Sequence, residues 1–198
     1  ESRNRIFVRD GSRLFTRIAD PSKAQGSPLI IYNAMLEVCQ NGITYAIVGD
    51  GDHTDHVAEG YAEDEGLEHT MHWSTYELDP PNYTPRITGV CYWLRGRPTI
   101  RMSLVRKSPW SGSPDRHLFE VGDIGPGFGL CLHAYMRDGN PLPPFQGAPY
   151  LLPLRGDPQV VMETFWRALD SENRVSLAMK IISPVDSRIR IINKYQEV

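Results

Sequence analysis

Short apolar runs broken by glycine-bearing turns dominate the chain. Ile6 to Val8 and Arg13 to Thr16 flank Asp10-Gly11, while Leu29 to Val38 and Ile43 to Val48 flank Asn41-Gly42. Glycine takes positive φ at little cost, so each pair predicts an antiparallel hairpin. From Asp52 to Tyr76 glutamate and alanine replace β-branched residues, which predicts two short helices interrupted at Gly66. Strand character returns in Ile87 to Leu94 and Thr99 to Val105, joined by Arg95-Gly96-Arg97-Pro98, and again in His117 to Val121 and Gly129 to Met136. Four prolines make Pro141 to Pro149 a surface loop. Asp157 and Pro158 open a helix to Asp170, with Val161, Phe165, Trp166 and Leu169 on one face. Arg174 to Ser183 and Arg188 to Tyr195 read as two last strands. Helices collected in two blocks, rather than alternating with strands, argue for a layered α+β sandwich.

Bulk properties add bounds to that picture. The 198 residues suit one domain, 1–198, and their composition, 40% hydrophobic and 23% charged, is that of a globular protein. A net charge of −3 with scattered basic residues gives no electrostatic case for nucleic acid or an anionic membrane. No run has the apolar length of a membrane span and no basic-then-apolar leader opens the chain, so the expected location is cytoplasmic. Cys39, Cys91 and Cys131, odd in number and each within an apolar run, read as buried free thiols in a reducing compartment. A homo-oligomer is compatible with the sequence.

Two polar clusters are candidates for chemistry. Gly49-Asp50-Gly51-Asp52-His53-Thr54-Asp55-His56 lies where a strand gives way to a helix, a place where free backbone N–H groups can face an anion or a ribose. A plain turn, with Asp52 or Thr54 capping the helix, competes evenly with that reading. Metal is not favoured, because the His and Asp spacing matches no established ligand motif. Asn82-Tyr83-Thr84-Pro85-Arg86 presents an amide, a hydroxyl and a guanidinium, groups suited to phosphate and carbonyl oxygens, although a simple turn with a solvated arginine is the commoner outcome. Tyr32-Asn33 interrupts an apolar strand. The glycines of Gly125 to Gly129 precede a strand and lack dinucleotide or phosphate-loop spacing, and no nucleophile elbow is present.

Taken together, Ser-Arg-Asn-Arg at 2 to 5, Ile-Tyr-Asn at 31 to 33, Gly-Asp-His-Thr-Asp at 51 to 55 and Asn-Tyr-Thr-Pro-Arg-Ile at 82 to 87 resemble the IMP cyclohydrolase family. Leu-His-Ala-Tyr at 132 to 135, Pro-Leu-Pro-Pro-Phe-Gln-Gly at 141 to 147, Asn-Arg-Val-Ser-Leu at 173 to 177 and Ile-Asn-Lys-Tyr at 192 to 195 are similar to its bacterial branch. The resemblance implies a four-layer αββα fold like that of N-terminal nucleophile hydrolases, without their self-processed residue. It also implies the last step of purine synthesis, dehydrative closure of 5-formamidoimidazole-4-carboxamide ribonucleotide to IMP, with no cofactor and a purine nucleotide as the partner.

By the same resemblance Arg5 and Tyr32 stand near the reacting centre, Arg86 orients the carboxamide or holds phosphate, and Asn33, Asp50, His53, Thr54, Asp55, Asn82 and Thr84 contact base, ribose and phosphate. A purine-nucleotide-binding or regulatory domain without turnover, and a related amide hydrolase, are the alternatives. Some relatives read Tyr-Asn-Thr-Pro-Arg at 82 to 86 and carry a strand pair before Ser2, so native strands are expected upstream of Glu1.

Overall fold

Asn41 and Gly42 have φ of 51° and 76°, and Arg95 and Gly96 have φ of 52° and 76°. Two successive positive-φ residues form the tight turn whose twist matches that of paired strands. They close β3 (Asn33–Gln40) onto β4 (Ile43–Gly49) and β5 (Arg86–Leu94) onto β6 (Arg97–Lys107). A computed structural model describes residues 4–23, 31–122, 124–183 and 185–195. β1 (Arg5–Asp10), β2 (Arg13–Ile18) and β7 (Pro114–Val121) complete one antiparallel sheet of seven strands in chain order, β1 to β7. Pro98, expected in a loop, pairs with Trp93 inside the ladder. The β7 partners of β6 begin only at Ile100, so the missing amide of Pro98 breaks no bond on that side.

Helices α1 (His53–Ala62) and α2 (Gly66–Trp73) connect β4 to β5 across one face of the sheet. Val57, Ala58, Tyr61, Leu67 and Met71 are buried there against Ile47, Val90, Tyr92 and Val105. On another cluster, Leu14 and Ala34 pack with Ile189 of a separate hairpin, β10 (Ser176–Ile182) and β11 (Ser187–Asn193). Asn193 fastens it by accepting from the Phe7 N–H at 2.9 Å and donating to the Phe7 carbonyl at 3.0 Å. Helix α3 (Pro158–Ala168) contacts β10, and the Asp157 carboxylate caps it by accepting from the Gln159 N–H at 2.7 Å.

The α+β class and the antiparallel strands are as expected. Beyond the seven-stranded sheet, however, the described strands form two separate two-stranded ladders, β10–β11 and β8 (Phe128–Cys131) with β9 (Tyr150–Pro153). Several local expectations need correction. The strand expected over Gly129 to Met136 stops at Cys131, because residues 132–136 turn to meet the proline loop, where Met136 donates to the Pro143 carbonyl and Phe145 to that of Ala134. The strand expected from Leu29 starts at Asn33, and residues 24–30 lie outside the described part. Leu169, expected on the buried face of the last helix, is 43% exposed and follows α3. The three thiols are free, yet Cys39 is exposed and Cys91 and Cys131 are half-buried, because an apolar run in a strand has two faces and only one is covered.

Candidate functional site

Strand direction collects the candidates at one end of the large sheet. In an antiparallel meander, odd strands begin where even strands end. Arg5 starts β1 opposite Ile18, Tyr32 precedes β3, accepts from the Thr16 N–H and donates its own N–H to the Thr16 hydroxyl, Asp50 follows β4, and Arg86 starts β5. Register alone therefore brings residues far apart in the chain to the same end of the sheet.

Arg86 is the anchor. Its guanidinium is 7% exposed and lies 2.6 Å from an Asp52 carboxylate oxygen and 3.1 Å from one of Glu77. Gly51 is required there by space, since a Cβ at that position would sit 1.7 Å from the Arg86 Nη1. Burial pushes the Glu77 carboxyl up, Arg86 pulls it back, and Asp79 and Asp52 add to the rise.

Asp50 accepts from the Ile87 N–H at 2.9 Å, the first amide after Arg86. A quarter of its side chain keeps access to solvent. The remainder faces protein, and burial pushes its carboxyl up to about 7, against the pull of the Ile87 N–H and of Arg86. At neutral pH it is thus shared between acid and carboxylate, the state that serves proton transfer in either direction. His53 stands 3.7 Å from it. Burial, helped by Arg86, pulls the imidazole down to about 4, so this is a neutral ring beside a carboxyl and not an ion pair.

Tyr32 completes the group. Burial pushes its phenol up; Arg5 and Arg86 oppose that, while Asp50 and Glu77 reinforce it. The Arg5 guanidinium carbon stands 5.9 Å from the centre of the Tyr32 ring. Four of the residues marked from the sequence, Arg5, Tyr32, Asp50 and Arg86, therefore form one electrostatic unit, with His53 behind Asp50.

The other marked residues occupy different settings. Asn33 bridges Asp55, to which it donates at 2.6 Å, and Arg13, from which it accepts at 2.6 Å. Thr54 is fully enclosed and donates to the Gly51 carbonyl at 2.7 Å, which pins the turn, while Asp52 makes no side-chain cap and turns to Arg86 instead. The Asn82 side-chain oxygen Oδ1 accepts from the Leu142 N–H at 3.1 Å and so ties the proline loop to the 79–84 loop. Thr84 donates its hydroxyl hydrogen to Asp79 at 2.6 Å, so the Tyr135 hydroxyl, in contact with the same oxygen, is the donor of that bond.

Two residues of this end carry no assignment from the sequence. Glu77 lies five residues before the second polar cluster, and the chain folds back there through the Glu77 N–H to Thr84 carbonyl bond, 2.9 Å. A carboxylate just upstream of a proline-stiffened arginine was the available signal. Tyr135 stood inside a motif without a role; burial pushes its phenol up, and its bond to Thr84 opposes that.

A titrating carboxyl, a buried guanidinium held by two carboxylates and a raised phenol suit proton transfer and oxyanion stabilisation. Among the described residues no helix is long and apolar enough to cross a membrane. No curated protein and no solved structure is significantly similar to the chain. A family-level comparison does find a match: residues 1–186, a span that holds all of these side chains, fit the model described as IMP cyclohydrolase-like protein, and the chain belongs to that family.

Proposed function

We propose that the chain closes 5-formamidoimidazole-4-carboxamide ribonucleotide to IMP. The observation that carries this reading is Asp50, whose carboxyl is pushed up to about 7 beside Arg86 and Tyr32. In ring closure the carboxamide nitrogen forms a bond to the formyl carbon and loses one proton, which ionised Asp50 accepts. The formyl oxygen gains charge in that step, and Arg5, Arg86 and the Tyr32 hydroxyl are the donors for it. Asp50 returns that proton to the charged oxygen, which becomes a hydroxyl. A second proton, from Tyr32, lets it leave as water, and the hydrogen given up by the former formamide nitrogen as the C=N bond forms restores the Tyr32 phenol. Attacker and target share one molecule, so orientation supplies much of the rate and no electron transfer is involved.

The family also supports a reading of the layers as a reduced αββα sandwich. α1 and α2 over the large sheet, then the β10–β11 hairpin, then α3, follow that sequence of contacts.

The test is IMP formation, followed by absorbance, with the protein and its Tyr32→Phe and Asp50→Asn variants. The expected loss is roughly 10²- to 10⁴-fold for each variant. A folded sample with no turnover above the uncatalysed rate sinks the proposal, and calorimetric binding of IMP by that sample would make the chain a nucleotide-binding domain instead.

A further inference from the structure

Tyr135 reaches the site from outside the large sheet. It lies beyond β8, in a strap that turns back on the proline loop: Tyr135 forms an isolated bridge with Pro144, and the Met136 and Phe145 N–H groups donate to the Pro143 and Ala134 carbonyls at 2.9 Å each. The strap is also fixed to β6, because Phe145 is buried and its carbonyl accepts from Arg106 Nη1 at 2.9 Å. From this anchored segment the Tyr135 phenol ends on the hydroxyl of Thr84.

Thr84 has no hydrogen to spare. Its N–H and hydroxyl donate to the two Asp79 oxygens at 2.7 Å and 2.6 Å, its carbonyl accepts from the Glu77 N–H at 2.9 Å, and its hydroxyl oxygen accepts from Tyr135. It is a knot in the chain and not a donor for a ligand. Pro85 and Arg86 follow it directly, and the next amide, that of Ile87, is the one that Asp50 accepts from. The loop on its other side needs holding: Tyr83 has a φ of 48°, a conformation that a non-glycine residue keeps only where its surroundings enforce it. The strap supplies a second tie there, from the Leu142 N–H to Asn82 Oδ1 at 3.1 Å. Burial pushes the Tyr135 phenol up, the bond to Thr84 opposes that, and the charges of Asp79, Glu77 and Asp50 add to the rise. The phenol therefore keeps its hydrogen at neutral pH and stays a donor to Thr84.

We propose that Tyr135 is a positioning residue: through Thr84 it fixes the segment 77–87 and so holds the Arg86 guanidinium and the Ile87 N–H against Asp50. For its catalytic meaning this role rests on the ring-closure reading. The Ile87 N–H and Arg86 are the groups that favour ionised Asp50, the Ile87 N–H more strongly, while Glu77, carried by the same segment, pulls the other way and contributes least. Loosening the segment therefore raises the pH at which Asp50 becomes a base.

Carbon NMR of the Asp50 carboxyl, titrated with pH in the whole chain and in its Tyr135→Phe variant, tests the link without needing turnover. The midpoint, about 7 in the protein, should rise by at least roughly half a pH unit in the variant. In IMP formation the variant should lose roughly tenfold in kcat with KM within about twofold, and the acid limb of its pH profile should move by the same interval as the NMR midpoint. In a Thr84→Val protein, which already lacks the acceptor, adding Tyr135→Phe should change kcat by no more than about twofold. A tyrosine with only a structural role would lower the melting temperature and leave the Asp50 midpoint in place. That result overturns the proposal, as does a full further loss when Tyr135→Phe is added to Thr84→Val. A parent protein without turnover whose Asp50 midpoint still moves in Tyr135→Phe would refute ring closure and support the positioning of Asp50 by Tyr135.

Discussion

Replacing Asp50 with asparagine should stabilise the protein above pH 7, and the size of the gain follows from the site. The carboxyl moves from its ordinary 3.8 to about 7 on folding. That interval of about 3 pH units, at about 1.4 kcal/mol each, gives a ceiling of roughly 4 kcal/mol. A quarter of the side chain reaches solvent, and screening brings the expected gain to about 2–3 kcal/mol. The direction is set by proton counting. Between pH 4 and 7 the folded chain holds a proton on Asp50 that the unfolded chain has released, so stability falls as pH rises through that window and levels off above it. Below the ordinary value both states are protonated and the full stability is present.

Asparagine keeps the oxygen that accepts from the Ile87 N–H and removes the titration. Urea unfolding of the protein and the variant at pH 4, 5, 6, 7 and 8 measures the difference between them, which should widen in favour of the variant up to pH 7 and then stay level. A difference that is flat across the series, or that narrows with rising pH, refutes the burial of Asp50 as described. The loss of turnover in the same variant would show that the strained carboxyl is kept for chemistry.

Arg86→Met should cost about 3 kcal/mol in chemical denaturation, because Glu77, 13% exposed at its side chain, is left buried without its cation. Gly51→Ala should reduce turnover roughly 10²-fold, since the new methyl displaces the guanidinium from Asp52 and Glu77; an unchanged steady-state rate would mean that Arg86 orients nothing. Asp157→Ala should lower stability by about 1 kcal/mol through loss of the α3 cap and leave IMP formation unchanged, which checks that activity does not simply track stability.

The candidate site was legible only in part. Polar clusters at strand ends marked Asp50, His53 and Arg86, because glycine, aspartate and proline interrupt apolar runs in a recognisable way. Family resemblance added Arg5 and Tyr32. Glu77 stayed hidden: a carboxylate in a coil segment looks the same in sequence whether it meets solvent or a buried guanidinium. Thr54 illustrates the converse, since a threonine after Gly-Asp-His looks available while its hydroxyl is enclosed against the Gly51 carbonyl.

Local chemistry in the sequence by itself determined the hairpins at Asn41-Gly42 and Arg95-Gly96, a break between α1 and α2 at 63–65, just before Gly66, and the Asp157 cap, because positive φ, helix propensity and capping act within a few residues. The tertiary structure alone decided that the apolar runs after Cys131 leave the sheet, that Cys39 faces outward, and that a cleft of about 660 Å³ opens beside Arg86. These depend on pairings across tens of residues, and both the raised carboxyl of Asp50 and the neutral ring of His53 arise from the exclusion of water that such pairings produce.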